Sequence, residues 1–234
     1  MNWKVKRFYS AVDVRALDGG FVVTLDGRPV KTPSGAPLAM PTRRLALAVA
    51  DEWTAQQDKV RPETMPLARL AVAAIEGMGS DREAAVERML TYAETDLLCY
   101  RAASPADLAA RQEAVWRPLL DWINGACGVS FTVTAGVMPV AQSPTTALAL
   151  RAALEPFDET EIAALASATV ATGSIVLALA LAAGCLDADE TFAASMVDEM
   201  FQVERWGEDA EAAARRQALH REIRAAATFL DLVR

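Results

Sequence analysis

Histidine is almost missing from this chain, since His220 is the only one among its 234 residues. The common catalytic motifs are missing too: the sequence has no G-x-x-x-x-G-K-[ST], no G-x-G-x-x-G after a strand, no H-E-x-x-H and no G-x-S-x-G. His220 lies in a helical pattern beside the Leu219 and Ile223 positions, which favours a solvated histidine over a catalytic base. The sequence therefore carries no recognisable hydrolase, phosphate-loop or dinucleotide site.

Cysteine is scarce, and the three that occur, Cys99, Cys127 and Cys185, are widely spaced without a C-x-x-C pair. An odd, dispersed set suggests neither a disulfide framework nor a zinc site, and it favours a reducing compartment. Cys99 is expected to be a buried, inert thiol. The first ten residues contain no apolar run of signal-peptide length, so no targeting sequence is predicted. These features together predict a cytoplasmic protein.

Positive charge is also in deficit, because 23 Lys and Arg residues face 31 Asp and Glu residues, for a net charge of -8. A nucleic-acid-binding protein must neutralise many phosphates, which an acidic chain does poorly. Nucleic acid is therefore not an expected partner.

One stretch, residues 162–186, has no charged residue and is long enough to be a transmembrane candidate. Its composition argues against a span, because much of it is Ala, Ser, Thr and Gly and its flanks are acidic rather than basic. A buried helix with small side chains, kinked at Gly173-Ser174, explains the same pattern. No membrane insertion is expected.

The N-terminal region has the pattern of a β-hairpin. Phe21, Val23 and Leu25 alternate with Val22 and Thr24 up to the turn pair Asp26-Gly27, and extended chain is predicted to resume over residues 28–32. From Thr42, a plausible helix cap, the periodicity becomes helical. The sequence thus predicts an α+β fold with a β-rich unit at residues 1–41 and a helical domain at residues 42–234.

Further helix starts are predicted by capping signals. Ser80-x-x-Glu83 and Asp158-x-x-Glu161 resemble capping boxes, and Ser104-Pro105 and Ser143-Pro144 place proline at the first helical position. The short run from Phe131 to Val133 is a candidate for a lone strand. A helical face of Leu219, Ile223, Ala227 and Leu230 closes the chain.

Aromatic residues make up only 6% of the chain, yet five of them are tryptophans. Trp53 and Trp116 lie on apolar helical faces and are predicted to be core residues. Trp206 stands beside Gly207 among several charges, so a surface anchor for a partner and a core position remain equally open. The following acids, Glu208, Asp209 and Glu211, favour stabilisation of a helix N-terminus over a metal site.

Seven segments, in order, resemble the assembly chaperones of the α subunit of the F-type ATP synthase catalytic head, known from mitochondria and α-proteobacteria. The resemblance covers nearly the whole chain. It is carried by Arg7-Phe8-Tyr9, residues 25–33 (LDGRPVKTP), Glu52-Trp53-x-x-Gln56, Met65-Pro66, residues 95–101 (TDLLCYR), Gln112 with Trp116 and Pro118, and Phe201-Gln202 followed by Trp206-Gly207-x-Asp209-x-Glu211. The lack of a targeting extension suggests a bacterial member.

The resemblance implies an ATP-independent chaperone, without catalytic residues, cofactor or metal, that binds the free α subunit until the β subunit replaces it. A monomer is expected. The candidate partner-binding residues are Phe201, Gln202, Glu204, Trp206, Gly207, Glu208, Asp209 and Glu211. Other family-motif residues could serve either structure or binding, namely Asp26, Gly27, Arg28, Pro29, Glu52, Trp53, Asp96, Tyr100 and Arg101.

Two alternatives to a chaperone stay open at this point. One is an enzyme that uses the carboxylates of Asp96, Glu208 or Asp209 on a small substrate. The other is a membrane-anchored helical protein.

Overall fold

The computed structural model of the chain describes residues 6–78, 82–136 and 138–234, and these contain six β-strands and ten α-helices. The strands are β1 (Val12–Leu17), β2 (Gly20–Leu25), β3 (Arg28–Pro29), β4 (Ala39–Met40), β5 (Tyr100–Arg101) and β6 (Thr134–Ala135). The helices are α1 (Arg43–Thr54), α2 (Pro66–Met78), α3 (Arg82–Thr91), α4 (Ala106–Cys127), α5 (Pro144–Leu154), α6 (Glu159–Thr172), α7 (Ile175–Ala182), α8 (Ala188–Ser195), α9 (Val197–Trp206) and α10 (Ala210–Val233). The predicted α+β class is confirmed.

The N-terminal sheet is antiparallel and has β2 at its centre. β1 pairs with one edge of β2, and β3 and β4 pair with the other. Asp26 and Gly27 connect β2 to β3 with φ values of +49° and +80°, the left-handed geometry that a two-residue hairpin turn requires. The predicted hairpin is confirmed, although the return strand is shorter than expected and ends at Pro29.

Gly20 allows β2 and β4 to approach each other closely. A Cβ atom at this position would lie 2.4 Å from the main-chain oxygen of Met40, far inside van der Waals contact. Any other residue would therefore force the two strands apart.

Helix α1 follows the sheet and begins as the sequence predicts. The hydroxyl of Thr42 accepts a hydrogen bond from the Leu45 N–H at 3.2 Å, which caps the helix. Leu45, Val49 and Trp53 are buried along one face, so the predicted apolar stripe and the core position of Trp53 are confirmed.

The uncharged stretch forms two helices rather than one. Gly173 adopts φ +69° after α6, and the Ser174 hydroxyl caps α7 by accepting from the Leu177 N–H at 3.1 Å. All eight residues of α7 are buried. None of the helices in the described ranges is long and apolar enough to cross a membrane.

Some local predictions fail or fall outside the described residues. The lone strand predicted at Phe131–Val133 is wrong: the strand in this region is β6, which begins at Thr134, directly after that run, and pairs in parallel with β5. Helix α4 starts at Ala106, with Pro105 as its N-cap residue rather than its first helical residue. Ser80 and its proposed capping box, like Trp3, lie outside the described residues.

The chain divides into two compact units. The first comprises Met1–Arg82, Glu159–Ala164 and Thr228–Arg234, and the second comprises Glu83–Asp158 and Leu165–Ala227. The first unit contains the sheet together with α1 and α2. The proposed domains at residues 1–41 and 42–234 mark where strands give way to helices, and as domains they stay a prediction.

Candidate functional site

Helix α9 in the second compact unit ends by presenting an exposed indole. Trp206 is the last helical residue and is 76% exposed. Gly207 follows with φ +88° and ψ 171°, a conformation that only glycine adopts readily, so the helix stops abruptly there. The structure thus places Trp206 at the surface and not in the core, while its role as an anchor for a partner stays a prediction.

The acids after Trp206 act first as helix-terminus groups. A carboxylate oxygen of Asp209 accepts from the Ala212 N–H at 2.9 Å, and Glu211 lies in the first turn of α10. Both positions place negative charge at a helix N-terminus, as the sequence favours. In the described parts of the chain no group of three or more His, Cys, Asp or Glu side chains could hold a metal ion.

Glu208 has a structural partner as well as an exposed position. It pairs with Arg216, whose side chain is only 6% exposed and whose Nη1 also lies 2.9 Å from an oxygen of Glu199. The buried guanidinium of Arg216 therefore pairs both with Glu199 on α9 and with Glu208, the residue that follows Gly207. This ion-pair network fixes the α9–α10 junction beside Trp206.

Phe201 lies on α9 beneath these exposed residues and is itself only 4% exposed. The guanidinium groups of Arg205 and Arg111 lie 4.4 Å and 5.4 Å from the centroid of its ring. Of the proposed partner-binding residues, Phe201 is therefore a buried support. The remaining ones are all exposed, namely Gln202, Glu204, Trp206, Gly207, Glu208, Asp209 and Glu211.

Two ion pairs join α9 to α4. Arg111 contacts both carboxylate oxygens of Glu204 at 2.8 Å, and these hydrogen bonds hold the pKa of Glu204 below its usual value. Arg205 pairs with Asp107. We define the α9 surface as exposed Gln202, Glu204, Trp206, Gly207, Glu208, Asp209 and Glu211. Ion pairs to neighbouring helices hold it, and one large indole projects from it.

Asp96 is buried and has a structural role at the start of α7. Its carboxylate accepts from the Ser174 hydroxyl at 2.8 Å, the Ile175 N–H at 2.9 Å and the Leu98 N–H at 3.0 Å. Burial raises the pKa of Asp96 to about 6, although these donors oppose the rise. With no exposed surface, Asp96 cannot contact a substrate in this conformation.

Arg101 is buried in the same region, and Tyr100 next to it is partly exposed. Arg101 donates to the Leu98 carbonyl at 2.6 Å and to Glu113 at 3.0 Å, and its guanidinium lies 5.0 Å from the ring centroid of Trp116. The Tyr100 hydroxyl donates to the Glu94 carbonyl at 2.9 Å. These motif residues therefore hold the second unit together.

Cys99 is the buried thiol that the sequence predicts. It has no exposed surface, and burial raises its pKa to about 12. A thiol with so high a pKa is not a nucleophile at neutral pH.

The motif residues of the first compact unit also make internal contacts. Asp26 accepts from the Ser10 and Ala11 N–H groups at 3.0 Å and 2.8 Å, and these bonds lower its pKa. Arg28 and Pro29, by contrast, are exposed. The Asp26-Gly27-Arg28-Pro29 motif thus forms a turn whose carboxylate holds the segment immediately before β1.

Glu52 caps a neighbouring helix. Its two carboxylate oxygens accept from the Leu67 and Ala68 N–H groups, both at 2.8 Å, at the start of α2. Burial raises the pKa of Glu52 to about 7 despite these bonds. Trp53 is 6% exposed, and its main-chain oxygen accepts from the Tyr9 hydroxyl at 2.7 Å.

Sequence reasoning missed the partners that fix the α9 surface. Arg111 and Asp107 precede their partners by more than 90 residues, and no local pattern links them. It also missed that His220 stacks on Phe192, with 4.4 Å between ring centroids, and lies 2.7 Å from a carboxylate oxygen of Asp189. Such pairs arise only when distant helices pack together.

Known proteins resemble this chain over most of its length. A sequence model of the ATP12 chaperone protein family matches residues 6–124. The mitochondrial protein atp12 of Schizosaccharomyces pombe is 25% identical over 214 residues, which cover 86% of this chain and 74% of that protein. The crystal structure of Atp12 from Paracoccus denitrificans matches with a TM-score of 0.90 and 40% identity over 100% of both chains. A chaperone candidate from Agrobacterium tumefaciens matches with a TM-score of 0.93 and 42% identity, over 98% of this chain and 86% of that one.

Proposed function

Because the chain belongs to the ATP12 chaperone family, we propose that it is an ATP-independent assembly chaperone for the F-type ATP synthase. Its client is the unassembled α subunit, which it shields until the β subunit takes its place. An unassembled subunit exposes the apolar surface that its neighbour later buries, and such surface promotes aggregation. The sequence motifs and the family membership support this assignment.

The observation that carries the proposal is the exposed indole of Trp206 on a surface held by ion pairs. Tryptophan buries a large apolar area and is enriched among the residues that dominate binding energy at interfaces. The charged neighbours form a polar rim around it. We propose that the α9 surface contacts the client, with Phe201 supporting it from below.

The arrangement suits a chaperone that must release its client. One large aromatic anchor within a polar rim gives a moderate interface, which a tighter-binding partner can displace. The ion pairs of Glu204, Glu208 and Arg205 keep this surface ordered before the client arrives, so less conformational entropy is lost on binding.

We propose that the chain acts as a monomer, without a catalytic step or a cofactor. The candidate carboxylates of the enzyme alternative have structural partners: Asp96 is buried, Asp209 caps α10 and Glu208 pairs with Arg216. The three cysteines are free thiols, which supports action in a reducing compartment such as the bacterial cytoplasm.

The proposal is tested by mixing the purified chain with the isolated cognate α subunit and following light scattering without nucleotide. Near-stoichiometric chain should suppress aggregation, and the two proteins should co-purify. Addition of the β subunit should displace the chain. An α subunit that precipitates equally fast with and without the chain would show that the proposed function is wrong.

The α9 surface is tested with Trp206→Ala. The variant should retain the α subunit about tenfold more weakly, because it lacks the anchor, while its unfolding free energy changes by less than about 0.5 kcal/mol at so exposed a site. Leu148→Ala is the matched control, since Leu148 is 66% exposed on α5 and should affect neither property. A large loss of stability for Trp206→Ala would instead assign the indole a structural role.

A further inference from the structure

A cavity of about 520 Å³ lies within the first compact unit, next to the end of α1. The apolar residues that line it come from the strand region, from α1, from α2 and from the segment between these helices, and they include Val30, Leu38, Trp53, Met65, Ala68 and Val72. A volume of this size is typical of sites that bind a small ligand or a few residues of a peptide. None of its lining residues belongs to the α9 surface.

The charged residues that line the cavity balance each other. Lys31 and Arg69 are basic, and Glu63 and Glu76 are acidic. Glu76 accepts from the Ser34 N–H at 2.6 Å, so its carboxylate is already engaged by the strand region. In a chain with a net charge of -8, this local balance favours an uncharged occupant.

One wall residue has an unsatisfied polar group. The indole N–H of Trp53 is buried and has no hydrogen-bond partner among the described residues, whereas the indole N–H of the fully buried Trp116 donates to the Ala194 carbonyl at 2.8 Å. Buried N–H groups normally have an acceptor, and one without it is destabilising. Trp53 also lines the cavity, so this unpaired N–H belongs to a side chain of the cavity wall.

We propose that this cavity receives an aliphatic side chain of an extended, uncharged segment of the client, and that a main-chain carbonyl of the segment accepts from Trp53 Nε1. The inference rests on the proposed function, because the segment belongs to the α subunit. A peptide carbonyl is the fitting acceptor, since every extended segment carries one and it brings no charge into an apolar space.

The wall has to adjust when the segment binds. In this structure Trp53 Nε1 is covered by neighbouring atoms, so a carbonyl reaches it only after a side chain moves. Met65 lines the cavity and has the unbranched, flexible side chain suited to such a rearrangement.

The first experiment observes the indole N–H directly by ¹H–¹⁵N NMR of the full chain, with the Trp53 signal assigned from Trp53→Phe. Titration with the uncharged peptide acetyl-Ala-Leu-Ala-methylamide should shift the Trp53 indole proton downfield and leave that of Trp116 in place. The same peptide with Glu or Lys at its centre should bind at least about tenfold more weakly.

Three outcomes would overturn the proposal. The Trp53 signal could stay unchanged with the peptide in large excess, or the charged peptides could bind as well as the neutral one. A Trp53 signal that shifts with protein concentration alone would assign the cavity to a second copy of the chain instead.

The second experiment fills the cavity and measures retention of the isolated α subunit. Ala73 is exposed, lies on α2 and lines the cavity, so Ala73→Leu adds bulk there without removing a contact. This variant should retain the α subunit about tenfold more weakly. Ala152→Leu on α5 is the matched control, because Ala152 is exposed and lines none of the cavity.

The two proposals fail in different ways. If the unmodified chain retains the α subunit and Ala73→Leu retains it equally well, the cavity is not a client site and the proposed function stands. If the unmodified chain does not retain the α subunit at all, the proposed function is wrong and the client is not the occupant, whatever the indole signal shows.

Discussion

The two buried tryptophans that sequence and structure both place in the core differ in what their indole nitrogens do. Trp116 donates a hydrogen bond to the Ala194 carbonyl and lies next to the Arg101 guanidinium. The indole nitrogen of Trp53 has no hydrogen-bond partner in the described structure. The same residue type thus contributes differently to stability, because a buried N–H stabilises a fold only when it is paired.

This contrast predicts unequal effects of Trp→Phe replacement. Both Trp116→Phe and Trp53→Phe remove similar volume, but only Trp116→Phe also breaks a hydrogen bond and leaves a buried carbonyl unpaired. We expect Trp116→Phe to cost at least about 1 kcal/mol more unfolding free energy than Trp53→Phe. Urea unfolding followed by circular dichroism measures both, and equal losses would contradict the assignment of the indole partners.

Two buried carboxylates, Glu52 and Asp96, each bind the N-terminus of a helix, and burial raises the pKa of both. The folded chain therefore holds a proton on Glu52 at pH values between about 4.5 and 7, where the unfolded chain has released it. Because the folded state binds more protons in this window, the contribution of Glu52 to stability falls as the pH rises through it.

Glu52→Gln should remove this pH dependence. The amide keeps an acceptor oxygen for α2 but does not titrate. We expect the fall in unfolding free energy between pH 4.5 and 7 to be smaller in the variant by an amount on the order of 2 kcal/mol. Denaturant unfolding at several pH values measures the slope, and an unchanged slope would show that Glu52 titrates normally in the folded chain.

At the scale of elements, single residues decide where helices begin and end. Ser174 starts α7, and the reciprocal hydrogen bonds of Asp187 and Glu190 form a capping box at α8. Gly207 separates α9 from α10 in a backbone conformation closed to other residues. The surroundings of Trp206 depend on this last boundary, since without it the chain after Trp206 would follow a different path beside the indole.

Gly207→Ala should therefore destabilise the fold and weaken client retention together. The strained backbone should cost about 1–3 kcal/mol, and the α9–α10 junction should rearrange. Gly125→Ala is the matched control: Gly125 is exposed inside α4, a Cβ there meets nothing within 4 Å, and alanine should stabilise the helix by about 0.5–1 kcal/mol. Unfolding curves for both variants and retention of the α subunit measure the difference.

At the scale of the whole molecule, the buried apolar residues and the exposed polar residues are concentrated in different segments of the chain. Helix α7 has no exposed residue, while the residues from Glu204 to Ala210 are all exposed. Most of the ion pairs have solvent-exposed side chains, so they add little to global stability and act locally on the α9 surface. The stable interior and the proposed contact surface thus belong to different helices.

Hydrogen exchange should reproduce this division. Amides of α7 should exchange slowly, at rates set by the largest unfolding events of the second compact unit, because no smaller opening exposes them. Amides of residues 204–210 should exchange much faster and become protected when the α subunit binds. Mass spectrometry of peptides covering both segments measures the rates, and equal protection in the free chain would contradict the proposed distribution of stability.

Local chemistry was enough to predict several features from the sequence. The Asp26-Gly27 turn, the cap at Thr42 and the apolar stripe of α1 depend on neighbours within a few residues, so propensity and periodicity reveal them. The break at Gly173 was indicated as a kink for the same reason. The lone strand was predicted to start three positions too early, because a two-residue strand has almost no local signal and depends on its partner β5.

The sequence by itself determined the α+β class, the acidic character of the chain and the family, because these depend on composition, periodicity and ordered motifs. Only the tertiary structure decided that Trp206 is exposed while Phe201 is buried, that Asp96 and Glu52 cap helices, and that Trp53 lines a cavity. Each of these properties depends on which distant segments pack together, and burial, pairing and cavities exist only after that packing is complete.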